Sequence, residues 1–218
     1  MTAKERAGRA VAILEECYPS AECALRYEGE PWKLLVMGRL SAQCTDARVN
    51  VVCKELFTVF PTAEALAYGE LSEIERIVRS CGLYRTKAAQ IKEECRMLTE
   101  DYGGVMPSEM ETLLTFPGVG RKIANLLRGD LFGLPAIVAD THCIRLSGRL
   151  GFVKADEKRP EAVEKALCKI VAPEKQSDFC HRLVTFGREV CTARAPRCES
   201  CPLSSVCKTH QSKEKNRP

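Results

Sequence analysis

Two short runs and one cluster of cysteines carry the residue types that could do chemistry. The first run is Phe116-Pro117-Gly118-Val119-Gly120-Arg121-Lys122. Pro117 stops one helix, the two glycines permit a tight turn, and a second helix is predicted from about Gly120. Gly118, Val119 and Gly120 then offer backbone N–H groups at a helix N-terminus. Orphan donors and the positive dipole end bind anions there, and a phosphate can approach the bare glycines closely. Lys122 falls in the first turn, a position that favours acids. A cation so placed is expected to have a lowered pKa, and a neutral amine is a nucleophile. The competing reading of Lys122 is one more phosphate contact. The second run, Val138-Ala139-Asp140-Thr141-His142, contains an acid positioned to cap a helix. A carboxylate can also stabilise positive charge that develops at a reacting centre.

Cys191, Cys198, Cys201 and Cys207 follow the pattern C-x6-C-x2-C-x5-C within seventeen residues. In a reducing compartment, this density indicates a thiolate-ligated metal rather than disulfides. Zinc and a [4Fe–4S] cluster are the two candidates. Zinc sites usually pair two short hooks and only one is present, so the lopsided spacing favours the cluster while zinc stays open. The segment holds few apolar residues, so a metal there is expected to be structural. Arg194, Arg197 and Lys208 decorate it, either as solvated charge or as phosphate contacts. The nine other cysteines read as small buried hydrophobes.

The elements that must position these groups are helical throughout, and no stretch alternates like a strand. Capping-box patterns at Thr2/Glu5, Ser72/Glu75 and Ser108/Glu111 mark three helix starts. Pro31, Thr45, Thr62, Asp140, Pro160 and Ser177 mark others, with Gly69, Gly82 and Gly103-Gly104 as stops. A longer helix is predicted over about 86–102, with Ala89, Cys95 and Leu98 inward. The tail after His210 is polar and is expected to be disordered.

At 218 residues, 45% hydrophobic and 28% charged, the chain suits one large or two small globular domains. The net charge of +4 permits a nucleic-acid partner without arguing for one. No apolar run approaches membrane-spanning length, and no secretory core follows the N-terminus, so a cytoplasmic protein without a membrane partner is expected.

The hairpin, an Asp eighteen residues after its lysine, and the cysteine spacing together resemble the endonuclease III family of DNA repair glycosylases, in the helix–hairpin–helix superfamily. Ser41-Ala42-Gln43-Cys44-Thr45-Asp46 resembles the family's SAQ-x-TD segment, and Gly82-Leu83-Tyr84, followed by Lys87-Ala88, the segment that supplies an intercalating leucine. The resemblance implies an all-α helix–hairpin–helix glycosylase fold in two lobes. Residues 24–134 would form a six-helix barrel, and residues 1–23 with 135–213 a lobe holding a [4Fe–4S] cluster on the four cysteines, with 214–218 a disordered tail. It implies a monomer, associated with the nucleoid, acting on double-stranded DNA that lies across the cleft between lobes. Lys122 would be the nucleophile and Asp140 its carboxylate partner. Gln43 and Leu83 would fill the hole left by a flipped nucleotide. Gly118, Val119, Gly120, His142 and Arg145 would contact DNA. Taken without the resemblance, Leu83 reads as a helix-end staple, Asp140 as a plain N-cap and His142 as a packed histidine.

The implied activity is removal of oxidised pyrimidines, followed by strand cleavage through a lysine Schiff base. The alternatives are a monofunctional glycosylase for mismatched uracil, thymine or adenine, and a non-catalytic DNA-binding module. A ferredoxin-like carrier is disfavoured because nearly the whole chain lies outside the cluster. The sequence departs from the family pattern at Arg39, at Phe116 and at Ile123, where aliphatic, leucine and threonine residues are usual.

Overall fold

The computed structural model describes residues 1–20 and 22–215. Among the described residues it contains twelve α-helices and no strand. The chain divides into two compact units, one of residues 23–132 and the other of residues 1–22 with 133–218.

In the first unit, here the hairpin unit, Pro31–Leu40 forms α2, Asp46–Val59 α3, Ala63–Tyr68 α4 and Leu71–Val78 α5. Tyr84–Glu100 forms α6, Met110–Leu113 α7 and Arg121–Phe132 α8. Pro31 opens α2 at a position where no backbone donor is needed. The Thr45 hydroxyl caps α3 by accepting from the Arg48 N–H at 3.3 Å. The apolar faces of these helices meet in one core that includes Leu35, Leu56, Ile74, Ile91, Leu113 and Leu127. Helix α6 runs against α2, α4 and α5, and α2 also packs on α8.

In the other unit, the cysteine unit, α1 spans Ala3–Cys17, α9 Thr141–Leu150, α10 Pro160–Ile170, α11 Gln176–Glu189 and α12 Lys208–Lys215. The capping box of α1 is complete: the Glu5 N–H donates to the Thr2 hydroxyl and the Thr2 N–H to the Glu5 carboxylate. Helix α1 packs on α10 and α11, and α9 packs on α11 and α12.

Several local expectations are corrected. The other two capping-box patterns do not act as caps, because each helix starts elsewhere. Helix α5 begins at Leu71 with Glu70 as N-cap, placing Ser72 inside the first turn. Helix α7 begins at Met110 after Glu109, and the Ser108 hydroxyl bonds the Glu109 carboxylate instead. Helix α6 starts at Tyr84, two residues early, because left-handed Leu83 serves as its N-cap. Its inward stripe is Lys87, Ala88, Ile91, Glu94, Cys95 and Leu98, and Ala89 is exposed. The chain after Cys207 is helical through Lys215, where disorder was expected, and residues 216–218 lie outside the described residues. Of the nine scattered cysteines, five are buried, whereas Cys17 and Cys168 are exposed and Cys23 and Cys44 half-buried.

Candidate active site and metal centre

In the hairpin unit, Gly120 C=O accepts the first helical bond of α8 from the Ala124 N–H at 3.0 Å. Lys122 is therefore the second residue of that helix. It is exposed and has no hydrogen bond or ion pair with the described residues. A free primary amine at a helix start, beside a glycine turn, is available to an electrophile.

The three hairpin residues differ in role. Gly118 has φ +77°, and a Cβ there would come within 2.5 Å of the Arg39 Nε, so both conformation and packing require glycine. Gly120 has neither constraint: a Cβ would meet nothing within 4 Å. Its bareness serves whatever approaches from outside. The N–H groups of Gly118 and Gly120 have no partner among the described residues. Val119 corrects the expectation of three bare donors. Its N–H donates to Phe116 C=O at 3.0 Å and its side chain is buried, so it anchors the turn.

The three departures from the family pattern have packing partners in this unit. The Arg39 guanidinium lies under Gly118 and donates from Nε to Gln90 Oε1 at 2.6 Å. Phe116 stacks on Tyr102, with ring centroids 5.4 Å apart. Ile123 packs against Gly38 of α2. Near Arg39, Glu94 is fully buried and neither carboxylate oxygen has a partner among the described residues. Burial pushes its pKa well above the ordinary value, against the smaller opposing pull of Arg39.

Gln43 and Leu83 are exposed, and both have left-handed backbones, at φ +55° and +47°. Leu83 is 63% exposed, which removes the reading of it as a packed helix-end staple. The two turns meet at Lys87, which follows the leucine-bearing segment in sequence and to which the resemblance assigns no role of its own. Its buried ammonium donates to Leu40, Ala42 and Cys81 carbonyls at 2.9, 2.6 and 2.7 Å.

In the cysteine unit, Asp140 is the N-cap of α9, its Oδ1 accepting from the Cys143 N–H at 2.7 Å. Oδ2 accepts no hydrogen bond from the described residues, so one oxygen orients the carboxylate while the other stays available. Arg145 is turned inward: Nη2 donates to Gly187 and Cys191 carbonyls at 2.9 and 3.0 Å and lies 3.1 Å from His142 Nδ1. Burial lowers its pKa. Through Nη2, Arg145 joins α9 to the end of α11, a role the sequence did not indicate. Gly187 is required there, because a Cβ would sit 2.5 Å from His142 Nδ1.

The four clustered cysteines line one cavity of about 310 Å³, together with Arg149, Arg194 and Arg197. Arg149 donates to the Thr192 and Ala193 carbonyls at 2.7 and 2.8 Å and to Cys191 Sγ at 3.2 Å. Burial, with the neighbouring thiols adding to it, pushes Cys201 up to about 11 and also raises Cys207. A bound cation removes that mutual penalty. No three of these sulfurs, all of them described, lie within 4.8 Å of one another. Tetrahedral zinc with bonds of about 2.3 Å would draw its sulfurs to about 3.8 Å apart. The wider, shared cavity fits a multinuclear iron–sulfur group.

The residues 36–173 match the model of the HhH-GPD superfamily of base excision DNA repair proteins, and residues 191–207 match that of the iron–sulfur binding domain of endonuclease III. Endonuclease III of Synechocystis sp. is 44% identical over 209 residues, covering 95% of this chain and 94% of the relative. Two solved structures superpose closely. A non-covalent endonuclease III–DNA complex has a TM-score of 0.91 at 41% identity, covering 99% of this chain and 100% of that one. A trapped endonuclease III–DNA covalent intermediate has a TM-score of 0.90 at 41% identity, covering 98% and 100%. Among the described residues, no helix is long and apolar enough to cross a membrane.

Proposed function

Because this chain belongs to the endonuclease III family, within the HhH-GPD superfamily of base excision DNA repair proteins, we propose that it is a DNA glycosylase and AP lyase for oxidised pyrimidines. The observation that carries this reading is Lys122, an exposed amine with no partner among the described residues, two residues past a glycine whose amide has none among them either. It acts in the cytoplasm on nucleoid DNA, as a monomer. The barrel assigned to residues 24–134 carries the hairpin, and the lobe of residues 1–23 and 135–213 carries Asp140 and the cysteines.

The amides of Gly118 and Gly120 hold a backbone phosphate of the damaged strand. Gln43 and Leu83 enter the duplex and cover the neighbours of the extruded nucleotide. As the glycosidic bond breaks, C1′ takes on oxocarbenium character, and the free Oδ2 of Asp140 stabilises that charge. The Lys122 amine bonds to C1′, the base leaves with a proton, and ring opening gives a Schiff base. The iminium acidifies C2′–H. Loss of that proton expels the 3′-phosphate and cuts the strand by β-elimination. Cys191, Cys198, Cys201 and Cys207 hold a [4Fe–4S] cluster, which when bound cross-links a loop that has few apolar contacts of its own. His142 remains a weak DNA contact in this scheme.

The test is incubation with a duplex containing thymine glycol, with and without borohydride. Base release, nicking and a borohydride-trapped protein–DNA adduct are expected. Base release without nicking or adduct would instead indicate a monofunctional glycosylase, and binding without any release a DNA-binding module.

A further inference from the structure

We propose that Lys87 is a positioning residue that fastens the two turns carrying Gln43 and Leu83 into their outward, left-handed conformations. The inference rests on the reading that these two residues enter the duplex. Lys87 is fully buried on α6. An ammonium in such a place is costly unless every donor is used. It has three donors, and three carbonyls take them. Those carbonyls come from Leu40 at the end of α2, from Ala42 immediately before Gln43, and from Cys81 two residues before Leu83. The Lys87 backbone N–H also donates to Leu83 C=O at 3.0 Å.

The backbone at both turns explains why a fastening is needed. Among the described residues, only Glu28, Gln43 and Leu83 are non-glycine residues with positive φ. Each such residue carries strain on the order of 1 kcal/mol or more and persists only where its surroundings impose it. Lys87 grips the main chain immediately before Gln43 and just before Leu83, across sequence separations of 45 and 6 residues. Packing alone would be met by a methionine or leucine at this position. The use of a charged side chain, whose pKa burial pulls down, indicates that the three directed bonds matter. The neighbours that face it include the half-buried Cys44, the buried Cys81 and Arg39, and among the described residues no carboxylate pairs with it.

The full-length, cluster-loaded protein with Lys87→Met tests this. Single-turnover base release is measured on thymine glycol in a paired duplex and in a single strand, where no base pair must be opened. Loss of at least about tenfold on the duplex, roughly 1.4 kcal/mol of barrier, is expected, with less than about threefold on the single strand. Leu83→Ala and Gln43→Ala should show the same duplex-selective loss, and adding Lys87→Met to that pair should cost little more, because all three act as one unit. Equal losses on both substrates, or no loss, while Leu83→Ala remains duplex-selective, would overturn the role of Lys87 alone. If neither Leu83→Ala nor Gln43→Ala is duplex-selective, the reading of them as wedges fails, and the inference with it. Should Lys87→Met not fold, Lys87→Arg carries the test, since a planar fork cannot place three converging donors in the same space. A duplex-selective loss is again expected, and a uniform one contradicts the proposal.

Discussion

In the hairpin unit one apolar core runs from Leu25 to Leu127, whereas the loop of residues 191–207 buries only Leu203 and Val206 among its apolar side chains. The two regions solve the same problem differently. Where apolar side chains are dense, the chain can place polar groups for purposes other than stability, and it buries Lys87 and Glu94 whole. Where they are scarce, arginine-to-carbonyl bonds from Arg145 and Arg149 hold the loop, and the four thiols line one cavity that a metal group can cross-link. Strain follows the same division: the left-handed residues Gln43 and Leu83 belong to the unit whose core can impose it.

The largest expected effect breaks the comparison most directly. Chelation of the cluster, or Cys201→Ala, should destabilise the cysteine unit by several kcal/mol, on the order of a structural metal's contribution. Hydrogen exchange should then speed up across residues 191–207 and α12, while α2, α6 and α8 keep their protection. Uniform loss of protection in both units would show that the hairpin unit also depends on the metal.

Within the hairpin unit, Gly118→Ala should cost about 1–3 kcal/mol, from positive φ and the collision with Arg39. Gly120→Ala should leave the thermal midpoint unchanged and weaken DNA binding, because its space is open. Equal stability losses would remove the distinction between a structural and a ligand-facing glycine.

Glu94 gives a pH signature. Its folded pKa is raised, so its contribution is fully present below the unfolded value near 4.5 and is lost as pH rises toward the folded value. The stability gained by Glu94→Gln should therefore grow by about 1.4 kcal/mol for each pH unit across that interval. A gain that is flat with pH, in denaturant titrations from pH 5 to 8, would contradict an orphaned carboxyl.

The smallest stability effect is expected at Asp140. Asp140→Ala should cost about 1 kcal/mol through loss of the cap on α9. Asp140→Asn keeps the cap and should be nearly neutral in stability, yet base release should fall in both. Unchanged release in Asp140→Asn would leave Asp140 as a cap alone.

The sequence made much of this legible because local chemistry determined it. Thr2 with Glu5, Thr45, Pro31 and Asp140 all start helices where their residue types indicate. The same S-x-x-E signal fails at Ser72 and Ser108, since Glu70 opens its helix two residues before Ser72 and Glu109 opens its helix one residue after Ser108. The pattern cannot show which of two nearby residues leaves helical geometry first. The register of α6 is not legible in the sequence because its inward stripe contains a lysine and a glutamate, which no hydrophobic pattern marks as interior. Gln90 and Gly187 act through partners 51 and 42 residues away, and two of the three carbonyls that Lys87 binds lie 45 and 47 residues away, so no local signal shows what these residues do. The resemblance marks Arg145 as a DNA contact, and nothing in the local sequence indicates where its guanidinium points. Its direction is set by carbonyls of Gly187 and Cys191, distant in the chain. The choice between zinc and an iron–sulfur group rested on loop spacing, and the separation of the sulfurs in space sharpened it.

The central claim is that Lys122 is the nucleophile. The direct measurement is borohydride trapping on abasic-site DNA, followed by proteolysis and mass mapping of the cross-linked peptide. The account predicts a single reduced adduct on Lys122, absent in Lys122→Ala. An adduct on another lysine or on the N-terminal amine, or one that persists in Lys122→Ala, would contradict it.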